Sequence, residues 1–489
     1  MEIGNLDQYK LYHYYFQSHG KKQDIFYNKV LPVILFGLVG AFGWAIRGTS
    51  GWGGIPGGVV AGFWWSSLFY ILAKIRGVDA RWQFFALGFG IALGGLTGYG
   101  QFNSWIKGIF MTGPNETIEI NPLWGFGWHF VVGVEWGGNA GGILSWTYKK
   151  TESVKEKLIR IGIPALCGVL GFFIIKYNPQ LFFPAYSEDL YLLSECSSSE
   201  YCGRTMSTLP SLGVLIGVTI GFAIAEGILK NWEGLKVIGI MALGFGVAFP
   251  LGSLWFFGDL ENFHSWWKLW EESIGLIGGI SIGFVFLRFL KVVENRNNRE
   301  KIAENGTINR KNANKDSNDS NNSGISKTKS ESDQIMTMDK NQEQKIEWRK
   351  HVFFVLGLFL LYLYVLIGAS SQLMEHFSFY TIQIEGEYEF APEILTFFLI
   401  FGLTGIYGMI RNLIRAKKRL KEGQSLFPIK NPIAQFTKLS LFIAFCGIVA
   451  IFPAYMTLYY VVFLVLLLYL LCKAHEFYKS KNLIPDGFF

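Results

Sequence analysis

The chain has 489 residues, of which 51% are hydrophobic, 17% aromatic and only 17% charged, and its mean hydropathy is +0.29. This composition is too apolar for soluble domains and is typical of a membrane protein. The net charge of +7 does not indicate nucleic-acid binding, because the basic residues lie between apolar runs at the spacing of membrane loops.

Twelve apolar segments are long enough to cross about 30 Å of hydrocarbon. They form three groups of four, at 28–46, 55–73, 83–103 and 124–147, then 159–176, 211–229, 236–257 and 263–288, and finally 351–371, 393–411, 434–454 and 456–473. The sequence therefore predicts an all-α polytopic membrane protein with lipid bilayer around it.

Four regions follow from this pattern. Residues 1–150 are predicted to form a first four-helix unit, 151–290 a second, and 351–489 a C-terminal four-helix domain. Residues 291–350 are rich in Asn, Ser, Lys and Asp, and such a segment buries too little apolar surface to offset its ordering entropy. We predict a disordered cytoplasmic linker there.

The basic residues predict the orientation of the chain. They collect before the first span, after the second and between the fourth and fifth, for example at Lys29, Arg76 and Arg160, and alternate loops are poor in cations. By the positive-inside rule both termini are predicted to be cytoplasmic, in a plasma membrane of the bacterial type. The N-terminus has no short apolar core with a cleavage site, so the first span is expected to direct insertion.

The first two groups of spans resemble each other. Gly37 and Gly40 match Gly168 and Gly171, and the segment ALGFG recurs at 86–90 and 242–246. Four such matches in the same order predict two glycine-rich repeats, and an even number of spans in each predicts a parallel pair related by an axis along the membrane normal. Most glycines are interpreted as close-packing positions between helices.

Two carboxylates lie within predicted spans at matching places of the repeat. Glu135 is in the fourth span and Glu272 in the eighth. Ionisable residues at membrane depth are costly and usually face an interior or a cavity, so both are candidates for a solute or ion path. The alternative is that each accepts hydrogen bonds from neighbouring groups and has a structural role only.

Arg47 ends the first span, just before the glycine-rich segment GTSGWGG. Three roles stay open for it: neutralising the helix end, pairing with Glu135, or facing an anionic group together with the turn amides. The turn from Thr49 to Gly54 has no counterpart in the second repeat and is therefore predicted to confer specificity.

Further candidates surround these residues. Asn139 is four residues after Glu135 and shares its helix face, whereas His129 is six residues before it. Trp128, Lys268 and Glu271 are secondary candidates near the predicted outer ends, where an interfacial belt explains the tryptophan and stacking on a sugar ring is the alternative.

Cys196 and Cys202 lie in a polar loop predicted to be outside, where a disulfide would persist. No group of residues has metal-site spacing and no cofactor motif is present, so neither metal nor cofactor is predicted.

These features favour a transporter or channel for a small polar or ionic solute, with its path between the two repeats. The alternatives are a membrane-embedded transferase acting on a lipid-linked substrate, with Glu135 or Glu272 as general base, and a structural membrane subunit. An enzyme is the less favoured interpretation. A homo-oligomer or a membrane complex is compatible with the sequence, and a nucleic-acid partner is not expected.

Overall fold

The computed structural model describes residues 23–47, 54–100, 102–111, 117–149, 153–184, 202–258, 266–316, 328–377, 383–384, 387–388, 392–422, 432–451 and 457–481. A π-helical turn, Phe26–Val30, leads into α1, Leu31–Arg47. It is followed by α2, Gly54–Ile75, and α3, Arg81–Gly94, then the short α4, Phe102–Ile106. A two-stranded antiparallel hairpin, β1 Ile109–Met111 and β2 Thr117–Glu119, precedes α5, Leu123–Ser145.

The second predicted unit continues with α6, Val154–Tyr177, which begins at a capping box between Ser153 and Glu156. A 3-10 turn, Pro179–Leu181, follows it. Next come α7, Cys202–Ile228, and α8, Trp232–Gly252, which ends in a 3-10 turn, Ser253–Phe257. The long α9, Trp266–Asp316, completes this unit.

The last part consists of α10, Thr328–Phe377, a short hairpin of β3, Gln383–Ile384, and β4, Glu387–Tyr388, and the helices α11, Pro392–Lys421, α12, Pro432–Ile451, and α13, Thr457–Ser480. Helix extends well into the segment for which the sequence predicts no regular structure, because α9 continues to Asp316 and α10 begins at Thr328.

Seven of the helices are long and apolar enough to cross a membrane, judged on the described residues. They coincide with the predicted spans near 28–46, 55–73, 159–176, 211–229, 236–257, 263–288 and 351–371. The protein is therefore mainly helical with a membrane location, and the count of twelve spans stays a prediction.

Six helices form a closed ring in which each packs against the next, in the order α1, α2, α3, α5, α8, α9 and back to α1. Aromatic side chains fill its centre. Phe245 of α8 lies 5.8 Å from the ring of Trp44 and 5.8 Å from that of Trp65. These large side chains are fully buried, and their van der Waals packing stabilises the contacts between the helices of the ring, since lipid offers no hydrophobic driving force for helix association.

The helices α6 and α7 pack mainly against each other, and α7 joins the pair to α5. This differs from the arrangement that two equivalent repeats predict. Gly40 of α1 packs on Gly275 of α9, whereas its match Gly171 in α6 packs on Gly213 of α7. The matched glycines are close-packing positions with different neighbours, and a parallel repeat related by a twofold axis stays a prediction.

The C-terminal helices pack on the outside of the ring. Phe354 of α10 lies 4.6 Å from both Tyr70 and Phe84, measured between ring centroids. Trp64 donates a hydrogen bond from Nε1 to Ser440 Oγ of α12, at 3.0 Å. These contacts attach the C-terminal group to α2 and α3.

A charged network joins α3 to α10 at one end of the ring. Arg81 pairs with Asp79, at 2.8 Å, and with Glu347, and Lys350 bonds to both carboxylates. Burial by itself raises the pKa of Asp79, but the hydrogen bonds and charges of Arg81 and Lys350 outweigh it and lower that pKa to about 2. Asp79 therefore stays ionised at neutral pH.

Candidate functional site

The predicted span at 83–103 is broken in its middle. The helix α3 ends at Gly94, and residues 95–100 form turns before the short α4 begins at Phe102. A helix of 14 residues rises about 21 Å, which is less than the hydrocarbon thickness of about 30 Å. The prediction of one continuous helix here was wrong, because the helix ends within a small-residue segment, Gly94-Gly95, that packs against other helix ends.

Two helix ends meet beside this break. Gly54, the first residue of α2, has a φ of +67°, and it lies so close to Gly95 that a Cβ at Gly95 would contact the carbonyl oxygen of Gly54 at 2.6 Å. A positive φ favours glycine, and the absence of a side chain permits the close approach. The segment 48–53, which carries the predicted specificity turn, lies outside the described residues.

The break lies beside the middle of α5. Thr97 donates a hydrogen bond from Oγ1 to Glu135 Oε2, at 3.2 Å. Glu135 is twelve residues after Leu123 and ten before Ser145, the two ends of α5, which places it about 15–18 Å from either end. The end of α1 at Arg47 and the start of α2 at Gly54 lie beside the same break.

The carboxylate of Glu135 is fully buried and has neutral hydrogen-bond partners. Besides Thr97, Asn139 donates from Nδ2 to Glu135 Oε1 at 3.3 Å and to the carbonyl oxygen of Leu215 at 3.3 Å. Within the described ranges no Lys, Arg or His nitrogen forms a salt bridge with Glu135. Asn139 thereby connects the carboxylate to α7.

Arg47 is buried at the C-terminal end of α1, where it donates a hydrogen bond from Nη1 to the hydroxyl of Tyr99. Its guanidinium carbon lies 4.6 Å from the ring centroids of Tyr99 and Trp136, and 5.3 Å from that of Trp44. Such contacts of a desolvated guanidinium with aromatic faces are worth about 2 kcal/mol. The direct pairing of Arg47 with Glu135, one of the three predicted roles, is not formed in the described structure.

A second polar group lies beside Arg47 at the start of α9. Lys268 donates to Glu271 Oε2, at 2.9 Å, and to the carbonyl oxygen of Ala45 in α1, at 2.9 Å. Trp267 donates from Nε1 to the other oxygen of Glu271, at 2.7 Å. The two secondary candidates Lys268 and Glu271 are thus joined as a largely buried pair.

Glu272 is also largely buried, one turn before the Gly275 that packs on α1. It lies on α9, whereas Glu135 lies on α5, and α8 packs against both helices. The two carboxylates predicted to be equivalent are therefore placed on opposite neighbours of α8.

His129 and Trp128 are both buried within the protein. His129 is fully buried, with its Nδ1 2.6 Å from Ser253 Oγ and its ring stacked on that of Trp270 at 5.4 Å. Trp128 stacks on Phe102, at 5.4 Å, and donates from Nε1 to a backbone carbonyl, that of Phe182, at 3.2 Å. The ring of Trp128 is thus covered by α4, and its location at a membrane interface stays a prediction.

The disulfide predicted between Cys196 and Cys202 lies outside the part of the chain whose side chains are described. In the described ranges no group of three or more His, Cys, Asp or Glu side chains could hold a metal ion.

Sequence reasoning missed the strongest buried ion pair. Arg160 of α6 contacts Glu226 of α7 through Nε and Oε1, at 2.8 Å, and through Nη2 and Oε2, at 3.0 Å. Asn231 adds a hydrogen bond to Glu226 Oε2, at 2.6 Å. The sequence contains only a weak indication of this pair, because Lys230, four residues after Glu226, is an equally suitable partner on the same helix.

The class of protein that this fold defines is a polytopic helical membrane protein with a polar, buried break in one of its helices. Comparison of the chain with protein-family models, curated proteins and solved structures finds no match.

Proposed function

We propose that this protein is an integral membrane transporter or channel for a small polar or ionic solute, which binds at the break after α3. The observation that carries the proposal is the hydrogen bond from Thr97, in non-helical backbone, to Glu135 at the middle of α5. Arg47 and Asn139 complete the polar lining.

The physical reason lies in the cost of such an arrangement in lipid. A broken helix exposes backbone groups that no water can satisfy in the bilayer, and a buried carboxylate or guanidinium costs several kcal/mol or more. Transporters use discontinuous helices and midplane polar groups to bind solutes between moving units. Here the break follows α3 of the first predicted unit and contacts the second unit through Tyr99, whose ring lies 5.1 Å from that of Phe249 in α8 and 5.3 Å from that of Trp270 in α9.

The proposed orientation follows from the basic end of the ring. Arg160 donates to the carbonyl oxygen of Lys149, and Lys149 donates to that of Leu229, so these basic residues lie together. The positive-inside rule favours a cytoplasmic location for this end. We propose a plasma membrane of the bacterial type, with both termini on the cytoplasmic side.

A structural subunit is the second candidate. The aromatic packing of Trp44, Trp65 and Phe245 at the centre of the ring supports it, since a filled core needs no path. A flux measurement separates the two functions.

Replacement of Glu135 by Gln is expected to lower solute flux at least about tenfold, because the amide cannot accept both hydrogen bonds made by Thr97 and Asn139. The measurement is uptake of a panel of anionic, cationic and neutral solutes into proteoliposomes holding the full chain. Glu272→Gln is a second arm. The matched control is Glu119→Gln, an exposed strand residue, for which flux within about twofold of wild type is expected. Absence of wild-type flux over the whole panel would contradict the transport function, and unaltered flux in the Glu135→Gln variant would contradict a solute path past Glu135.

A further inference from the structure

The surroundings of Arg47 contain hydrogen-bond donors that lack acceptors. The Nε of Arg47 and the Nε1 of Trp136 are both buried and have no hydrogen-bond partner among the described residues. Trp136 is fully buried and Arg47 is 5% exposed. Because buried donors in native proteins are nearly always satisfied, two that lie together suggest a place for an acceptor.

The guanidinium of Arg47 has no carboxylate in direct contact. No carboxylate of the described residues forms a salt bridge with it, and its hydrogen-bond partner, the hydroxyl of Tyr99, is neutral. Of the carboxylates close enough to interact with its charge, Glu271 is paired with Lys268 at 2.9 Å and Glu135 accepts hydrogen bonds from two neutral side chains. An oxyanion in direct contact with a buried guanidinium offsets part of the cost of burying its charge.

The aromatic rings fix the position of the guanidinium. Arg47 lies over the rings of Tyr99 and Trp136 at the same distance, 4.6 Å, and contacts of this kind use the faces of the rings. They leave N–H groups at the edge of the guanidinium to hydrogen-bond an oxyanion, for which the planar fork of arginine is well suited.

We infer that the group recognised by Arg47 and Trp136 is an oxyanion, such as the carboxylate or phosphate of a small solute. This assignment rests on the proposed transport function and names the substrate class for the same site. A cationic solute is disfavoured, because it would meet the charge of Arg47 and two hydrogen-bond donors. An anionic lipid headgroup offers the same chemistry, and the experiment separates it from a free anion.

The test is a binding measurement on the full chain in nanodiscs of neutral phosphatidylcholine. The midpoint of thermal unfolding is followed against increasing lactate, succinate and inorganic phosphate, with choline and guanidinium as cationic probes, glycerol as a neutral probe, and ionic strength held constant. At least one anion is expected to raise the midpoint saturably, since a ligand that binds only the folded state stabilises it by mass action. The cations and glycerol are expected to have no saturable effect.

Two substitutions make the assignment specific. Trp136→Phe keeps the aromatic face but removes the Nε1 donor, and it is expected to weaken anion binding about tenfold. Arg47→Gln is expected to abolish anion binding, and Arg47→Lys to restore it in part. The matched control is Trp64→Phe, whose Nε1 already bonds to Ser440 and which leaves anion affinity unchanged.

The outcomes are distinct. The inference would be overturned by saturable binding of a cation, by absence of any effect of both free anions and phosphatidylglycerol, or by unchanged anion affinity in Trp136→Phe. The Trp136→Phe variant keeps the inference testable if Arg47→Gln fails to fold. Stabilisation by phosphatidylglycerol in the discs without any effect of free anions would assign the site to a lipid headgroup. Anion binding without flux would contradict the transport function but support the oxyanion site. Flux of cations alone would support the transport function and contradict the oxyanion site.

Discussion

Replacement of Arg160 by Met is expected to lower the free energy of unfolding by about 3–5 kcal/mol, because it leaves the carboxylate of Glu226 buried without its cation. The side chains of Arg160 and Glu226 are 4% and 0% exposed, and two contacts of 2.8 and 3.0 Å join them. The free energy is measured by reversible unfolding of the full chain in mixed micelles.

The double variant Arg160→Met, Glu226→Leu gives the matched comparison. Its free energy of unfolding is expected to lie within about 1–2 kcal/mol of the wild-type value, since apolar side chains of similar volume often replace a buried ion pair without loss of stability. Lys473→Met, which breaks an exposed pair with Glu476, is expected to cost less than about 1 kcal/mol. A double variant as unstable as the single one would contradict this explanation of the pair.

Replacement of Gly40 by Ala is expected to lower the free energy of unfolding by about 3 kcal/mol or more. A Cβ at Gly40 would overlap the carbonyl oxygen of Gly275 and the ring of Trp65, so α1 and α9 would have to separate along their contact. The loss of stability is measured by reversible unfolding of the full chain in mixed micelles.

The control for Gly40→Ala is Gly162→Ala in α6, where a Cβ would meet no atom within 4 Å. The free energy of unfolding of this variant is expected to rise by about 0.5–1 kcal/mol, since glycine is a poorer helix former than alanine. Equal effects at the two positions would show that close approach of α1 and α9 does not limit stability.

The places of the helices could be predicted from hydropathy, because length and apolar character are local properties of the sequence. The break after Gly94 could not. The run around ALGFGIALGG is as apolar as a continuous span, and the residue just after the helix end, Gly95, packs on Gly54, more than forty residues earlier. The neighbours of matched glycines were equally beyond prediction, since Gly40 and Gly171 look alike in sequence and pack on different helices.

The candidate site was predictable in part. The proximity of Asn139 to Glu135 follows from a spacing of four residues on one helix. The hydrogen bonds of Arg47 to Tyr99 and of Thr97 to Glu135 are long-range, and Thr97 and Tyr99 fall within the predicted span 83–103, where nothing in the sequence marks them as site residues. Burial of His129 and Trp128 depends on how α4 and the end of α8 fold over α5, which no local pattern indicates.

The most direct test of a solute path is whether water reaches the break. In a variant without the five native cysteines, Thr97→Cys is exposed to a membrane-impermeant thiol reagent in sealed proteoliposomes, with Thr219→Cys as the control. Thr219 is similarly buried, at 6% against 2% exposed, but packs against Gly138 between the regular helices α7 and α5 rather than lying in the non-helical segment after α3. We expect the thiol of the Thr97→Cys variant to be modified, more slowly when solute is bound, and the thiol of the Thr219→Cys variant to stay unmodified. Modification of neither thiol, from either side of the membrane, would contradict the claim that a solute path passes Glu135.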